Sequence, residues 1–221
     1  MFEDLAINQL DSPSEVLLFL ALLSGGLIVL LQHNFTREWN LAKWTLTDLR
    51  RVQKRSAEEA PSSSGIILAQ FQGVLAITTI VYGCSISFNI GITHIESLLL
   101  GFSIGLISLV IKFFVFWVLG RIRVTQNISI IHNALQRHIS TWTSITVGIL
   151  ALIFSLRPHL LSIVGVEGFI ISWGFWTIYR IWQVMQTSIK SFSRIWWGIV
   201  YLCALEILPV LIIFKFIMSV L

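Results

Sequence analysis

The sequence has few charged residues for its length. Lys, Arg, Asp and Glu make up 12% of its 221 residues, whereas a soluble domain carries about 25%. Hydrophobic residues account for 56% of the chain, and the mean hydropathy is +0.84. One globular core cannot hide so much apolar surface, so the sequence predicts an integral membrane protein whose main partner is the lipid bilayer.

Motifs that mark catalysis are also missing. The chain contains no P-loop, HExxH, GxSxG or CxxC pattern, which argues against common nucleotide-hydrolysing, zinc-peptidase, serine-hydrolase and thiol-redox sites. Its two cysteines, Cys84 and Cys203, lie in apolar segments, as expected for buried thiols. The spacing of His94, Glu96 and His159 is not specific for a metal. We therefore expect no metal and no cofactor. The sequence also argues against an enzymatic function.

Six apolar segments are long enough to cross about 30 Å of hydrocarbon. The predicted fold is accordingly an all-α bundle of six transmembrane helices in one membrane domain, residues 1–221. The predicted spans are about 15–32, 65–90, 95–120, 140–156, 160–183 and 195–220.

The longest polar segment, residues 33–64, is basic, and its apolar residues recur at helical spacing. This pattern predicts an amphipathic helix on the cytoplasmic membrane surface and argues against a nucleic-acid partner. Residues 124–139 have a similar stripe, which predicts either a second interfacial helix or the start of a long fourth helix. The apolar stripe of the first segment is Leu41, Trp44, Leu49 and Val52.

Orientation follows from the basic residues. The loops after spans one, three and five, with the adjoining span ends, hold twelve of the fifteen Lys and Arg residues. By the positive-inside rule these loops are cytoplasmic and both termini are periplasmic.

The second span is the most polar of the six, and its polar residues fall close to one helical face. Two interpretations remain open: the wall of a hydrated cavity, or a helix–helix contact in which hydroxyls and amides satisfy each other. The residues of this face are Gln70, Thr78, Tyr82, Ser85 and Asn89.

Two opposite charges lie deep in predicted spans. Lys112 is about 13 Å and Glu206 about 18 Å from the cytoplasmic ends of their helices, and the two side chains lean toward each other. Pro209 cannot donate to the carbonyl of Leu205, which leaves a polar group beside Glu206. These residues form either an ion-coupled site or a structural ion pair. Secondary candidates are Glu167, Tyr179 and Arg180, and we expect Arg180 to snorkel to the inner interface.

The string Tyr201–Pro209, YLCALEILP, resembles the C-terminal signature of an uncharacterised family of bacterial multi-span inner-membrane proteins, typical of the Bacteroidetes and classed as a domain of unknown function. Tyr179-Arg180 also resembles that family's pattern. The resemblance covers about residues 179–209 and implies a bacterial inner-membrane location, but no activity.

Two functions remain open. The first is a non-enzymatic component that supports an envelope assembly or process, with other membrane proteins or copies of itself as partners. The second is a small transporter or ion-coupled protein that uses Glu206, Lys112 and the polar face of span two. A water-accessible polar cavity would favour the second.

Overall fold

The computed structural model describes residues 13–58, 63–88, 93–121 and 126–188. The last predicted span, with Glu206 and Pro209, lies outside these residues, as does Asn89. The described residues form helices and short connections, without β-strands. The helices are α1 (Pro13–Asn34), α2 (Thr36–Thr47), α3 (Leu49–Glu58), α4 (Ser63–Ser87), α5 (His94–Arg121), α6 (Gln126–Leu156) and α7 (Pro158–Ser188).

Five of these helices are long and apolar enough to cross a membrane. The protein is therefore all-helical over its described residues and has the character of a multi-pass membrane protein. The candidate membrane-crossing stretches are Pro13–Asn34, Ser64–Ser87, His94–Phe114, Ala134–Leu156 and Pro158–Gln183.

Helix α6 is continuous through the region where the sequence left two alternatives open. It begins at Gln126 and ends at Leu156, so residues 126–139 are the start of a long fourth helix. The polar residues at its centre do not interrupt it, because their hydroxyls bond to carbonyls four residues back. Thr141 donates to the Arg137 carbonyl at 3.2 Å and Thr143 to that of Ile139 at 3.0 Å.

The basic segment after the first span forms two short helices, α2 and α3. They meet at Asp48, whose backbone N–H donates to the Trp44 carbonyl at 2.7 Å. Its carboxylate pairs with Arg51 in the first turn of α3, at 3.0 Å. The predicted apolar stripe is partly buried in the structure, with Leu41 3% and Val52 0% exposed. Helices α2 and α3 both pack against α6.

Helix α6 is the centre of the bundle and packs against every other described helix. Helix α4 lies beside it and contacts α1, α5 and α7 as well. The apolar core is built between α1, α4, α6 and α7. Its largest buried members are Leu17, Leu20, Tyr82, Val147, Phe154, Leu161 and Phe169.

Helix α5 packs mainly against α4. Two glycines of α5, four residues apart, allow the two helix backbones to approach closely. A Cβ on Gly105 would lie 2.8 Å from the Val74 Cγ1 atom and 3.1 Å from its carbonyl oxygen. A Cβ on Gly101 would lie 3.0 Å from the carbonyl oxygen of Thr78. The two backbones therefore pack at a distance that only a small residue permits.

We expect Gly105→Val to destabilise the bundle by about 1–3 kcal/mol, because the added side chain must push α5 away from α4. The measurement is the thermal unfolding midpoint of the purified protein in neutral detergent. Gly174→Val is the matched control, since a Cβ there meets no atom of the described residues within 4 Å. Equal shifts for the two variants would contradict a special role for the glycine crossing.

Candidate functional site

A layer of buried polar side chains crosses the bundle at the end where α2 packs. We call this end the α2 end and these residues the polar layer. They come from α2, α4, α6 and α7, and each is 8% exposed or less. The polar layer consists of Glu38, Thr45, Gln72, Gln136, Arg137, His138, Thr141, Arg180 and Gln183.

Hydrogen bonds to backbone carbonyls hold α2 against this layer. The indole of Trp142 donates to the Ala42 carbonyl at 2.8 Å. The carbonyl of Thr45 accepts from the Tyr179 hydroxyl at 3.1 Å and from the Gln183 amide at 2.5 Å. The Thr45 carbonyl lies in the last turn of α2, where a helix runs out of internal donors. Residues from α6 and α7 therefore fix the C-terminal half of α2.

The charges of the polar layer are mostly positive. Arg180 donates through Nη2 to the Gln136 side-chain oxygen at 2.9 Å. Instead of reaching the interface, as its sequence position predicts, its side chain is 5% exposed. Arg137 is 8% exposed, and its Coulombic neighbours are the carboxylate of Glu38 and the guanidinium of Arg37.

A cavity of about 100 Å³ opens beside the polar layer, between α4, α5, α6 and α7. Lys112, Arg137 and Arg180 line it, and no described Asp or Glu does. Three basic residues from three different helices thus line one small space. The other polar lining residues are Gln70, Ser108, Gln136, Ser140, Thr143 and Thr177.

Several buried polar atoms of the layer have no hydrogen-bond partner among the described residues. One is Nε of Arg137, which lines the cavity. Others are Oε1 of Glu38, Nε2 of His138 and both side-chain polar atoms of Gln72. Buried polar groups in folded proteins nearly always have partners. The polar layer therefore contains buried donors and acceptors that the described residues leave unsatisfied.

The walls of the cavity are fixed by close helix contacts. Helices α4 and α6 form its back, where a Cβ on Gly73 would lie 3.3 Å from the Cβ of Ser140. Helix α5 flanks it on one side, packed on α4, and α7 flanks it on the other, packed on α6.

The structure divides the predicted polar face of the second span into two parts. Gln70 lines the cavity. The others lie farther along α4: Thr78 donates to the Val74 carbonyl at 2.9 Å, and Tyr82 meets Nδ1 of His94 at 3.0 Å. Ser85 bonds to Ser97 of α5. Among the described members of this face, the cavity interpretation therefore fits Gln70, and helix–helix contact fits Tyr82 and Ser85.

The remaining sequence candidates are dispersed. Lys112 and Arg180 line the cavity, Tyr179 bonds to α2, and Glu167 is exposed on α7. Glu96 caps the first turn of α5 by accepting from the backbone N–H of Thr93 at 2.9 Å. Within the part of the chain that the structure describes, no three His, Cys, Asp or Glu side chains lie close enough to hold a metal.

Sequence reasoning missed most of the polar layer. Gln136, Arg137 and His138 belong to the stretch 124–139, for which an interfacial helix and the start of a long fourth helix were both left open. Glu38 belongs to the basic surface segment. One signal was present: Arg137, Thr141 and Ser144 recur at helical spacing and continue into the apolar part of α6. Such a polar stripe predicts a buried helix face rather than a loop.

Comparisons with protein-family models, with curated proteins and with solved structures gave no match for this chain.

Proposed function

We propose that this protein is a multi-pass membrane protein that binds an anion inside its helical bundle. The observation that carries the proposal is the cavity that Lys112, Arg137 and Arg180 line together. This is the ion-handling alternative of the sequence analysis, with the cavity in place of the single residue pair.

Burying a charged side chain within a membrane costs free energy. An arginine or lysine within a membrane-spanning helix costs about 2.5–3.5 kcal/mol on insertion scales. Three such residues around one small space add mutual repulsion, which is strong where water is scarce. An anion in the cavity offsets both terms. Ionisable groups that face such an intramembrane cavity commonly serve a ligand or ion pathway.

The test is stabilisation by phosphate. A ligand that binds only the folded state raises the unfolding midpoint as its concentration rises. We expect inorganic phosphate to raise the thermal midpoint of the detergent-solubilised protein at constant ionic strength, and Arg180→Gln to reduce this rise. Glutamine keeps a donor for Gln136 but removes the charge.

Arg157→Gln is the matched control, because Arg157 is exposed in the connection between α6 and α7, far from the α2 end. It should respond to phosphate as the parent does. If phosphate has no effect on the parent, or if both glutamine variants lose the response equally, the anion-binding proposal fails.

A second candidate is the non-enzymatic component of an envelope assembly. Trp142, Tyr179 and Gln183 favour this candidate. Their side chains donate hydrogen bonds to carbonyls of α2 and so hold that helix in place. Such a rigid face at one membrane surface suits a partner protein. Purification of the tagged protein from its native membrane with a partner in fixed stoichiometry would support this candidate.

The finer assignments belong to the same proposal. The chain would have a sixth span at about 195–220, a bacterial inner-membrane location and both termini in the periplasm. The α2 end, with its basic helices, would then be cytoplasmic. Membership of the uncharacterised family with the YLCALEILP string remains a proposal supported by those residues.

A further inference from the structure

Helix α2 covers the polar layer with a face that is half polar. Its four buried residues are Glu38, Leu41, Ala42 and Thr45. Only two of them are apolar, so little hydrophobic free energy holds this face against α6 and α7. The other side of α2 is exposed and carries polar residues. These are Thr36, Asn40, Lys43 and Thr47.

Both ends of α2 are single residues that interrupt the helix. Phe35 separates α2 from α1, with φ −129° and ψ 55°. Asp48 separates α2 from α3, with φ −149° and ψ 84°. Such residues at the ends of an element can absorb the backbone rotation when a segment moves as a unit. The neighbouring helices have anchors of their own, since Leu31 of α1 is 1% and Val52 of α3 0% exposed.

The interface under α2 buries polar atoms that the described residues leave without hydrogen bonds. On α2 these are Oε1 of Glu38 and Nε1 of Trp39. On the facing helices they include Nε2 of His138, which lies near Arg37 of α2, and Oε1 of Gln183. A buried polar group without a partner costs free energy that contact with water would recover. The residues that α2 covers therefore oppose its docked position.

Three side-chain donors hold α2 in place against this cost. Trp142, Tyr179 and Gln183 donate to carbonyls in the C-terminal half of α2. The helix has only 12 residues, and isolated helices of that length are marginally stable in water. Once these hydrogen bonds break, α2 has little of its own to preserve its structure.

We propose that α2 is a strap that detaches as a unit between Phe35 and Asp48 and admits water to the polar layer. Helices α1 and α3 stay packed against α6 while α2 opens. In the closed state the three donors keep α2 over the polar layer. In the open state water satisfies the polar atoms on both sides of the interface. The strap is distinct from anion binding, because water enters whether or not an anion occupies the cavity.

Hydrogen–deuterium exchange of the full-length protein in neutral detergent measures this opening. The exchange rate of the α2 amides follows the population of the open state when closing is fast. We expect residues 36–47 to exchange at least about tenfold faster than residues 134–147 of α6, because local opening costs less than unfolding of the bundle. Equal protection of the two segments would overturn the strap and leave the fixed α2 of the second candidate function.

A matched pair of variants tests the donors that hold the strap. Tyr179→Phe removes the hydroxyl that donates to the Thr45 carbonyl at 3.1 Å. We expect α2 to exchange about two- to tenfold faster, which is the factor that one hydrogen bond contributes. Tyr82→Phe removes a hydroxyl that meets His94 near the other end of α4 and should leave α2 unchanged. Equal effects of the two variants, or none from Tyr179→Phe, would overturn the strap.

A second pair tests the polar atoms that oppose closing. His138→Phe keeps a ring at a position that is 1% exposed but removes the nitrogen that has no described partner. We expect α2 to exchange at least about fivefold more slowly, because the closed state no longer buries an unsatisfied group. His159→Phe, at an exposed histidine in the first turn of α7, should change nothing. Unchanged or faster exchange in His138→Phe would overturn the strap, and if this variant does not fold, Tyr179→Phe decides.

Discussion

The Arg137→Met variant is expected to bind phosphate about tenfold more weakly than the parent, or worse. Arg137 is 8% exposed and lines the cavity. Hydrogen bonds to charged groups are worth about 1.5–3 kcal/mol, and tenfold in affinity corresponds to about 1.4 kcal/mol. The measurement is the phosphate concentration that gives half-maximal stabilisation at constant ionic strength.

The Glu38→Gln variant should shift the same measurement in the opposite direction. Glu38 is 2% exposed and is a Coulombic neighbour of Arg137. Its negative charge competes with an incoming anion for the guanidinium, so neutralising it should tighten phosphate binding. Glu167→Gln, at an exposed carboxylate on α7, is the control that should change nothing. If Arg137→Met and Glu38→Gln weaken binding alike, the effect arises from disturbed packing and not from charge.

The unfolding midpoint of Arg137→Met in phosphate-free buffer is a second measurable quantity. Replacing a buried charged group by an apolar one of similar volume is often neutral or stabilising. Since Arg137 lies near Arg37 and shares the cavity wall with Arg180 and Lys112, its removal also relieves repulsion. We expect the variant to unfold at the parent's midpoint or above it in phosphate-free buffer. A large loss of stability would instead make Arg137 a structural residue and favour the second candidate function.

The membrane-crossing helices could be predicted because their signal is local. Each is a run of apolar residues, and length and hydropathy suffice to find it. The predicted fifth span, 160–183, falls inside α7, which begins at Pro158. The start of α6 was harder, since residues 124–139 fit both an interfacial helix and the start of a long fourth helix when only the apolar stripe is considered. In the structure Gln136, Arg137 and His138 are buried on α6, which packs against the other helices. A local sequence pattern does not indicate which helices pack there.

The cavity could be predicted only in part for the same reason. Depth along a helix follows from counting residues, and this singled out Lys112 and Arg180. The direction in which a side chain points depends on the neighbouring helix, so Arg180 was expected at the interface although it lies buried beside Gln136. Contacts such as Gln183 to Thr45 join residues 138 positions apart. Basic residues also satisfy the positive-inside rule. Arg137 was therefore counted as evidence for topology and was not expected beside a cavity.

The Glu206→Leu variant is expected to lower the yield of folded protein, and Lys112→Met in the same chain is expected to restore it. Glu206 lies outside the described residues, so its pairing stays a prediction from depth in the sequence. The cavity strengthens the reason for it, because Lys112, Arg137 and Arg180 face one space. Without a nearby carboxylate, one more buried cation costs about 2.5–3.5 kcal/mol on insertion scales. The measurement is the monodisperse fraction after extraction in neutral detergent.

The controls for this pair separate charge from packing. Lys43→Met removes an exposed lysine of α2 and should not rescue Glu206→Leu. Glu206→Gln keeps the shape of the side chain without its charge. Its folded yield should therefore drop if the carboxylate must be ionised. If Glu206→Gln folds as well as the parent, the cations of the cavity are balanced by another anion. Glu38, a Coulombic neighbour of Arg137, stays in place in all these variants, so a change in the folded yield reports on the charge of Glu206 alone.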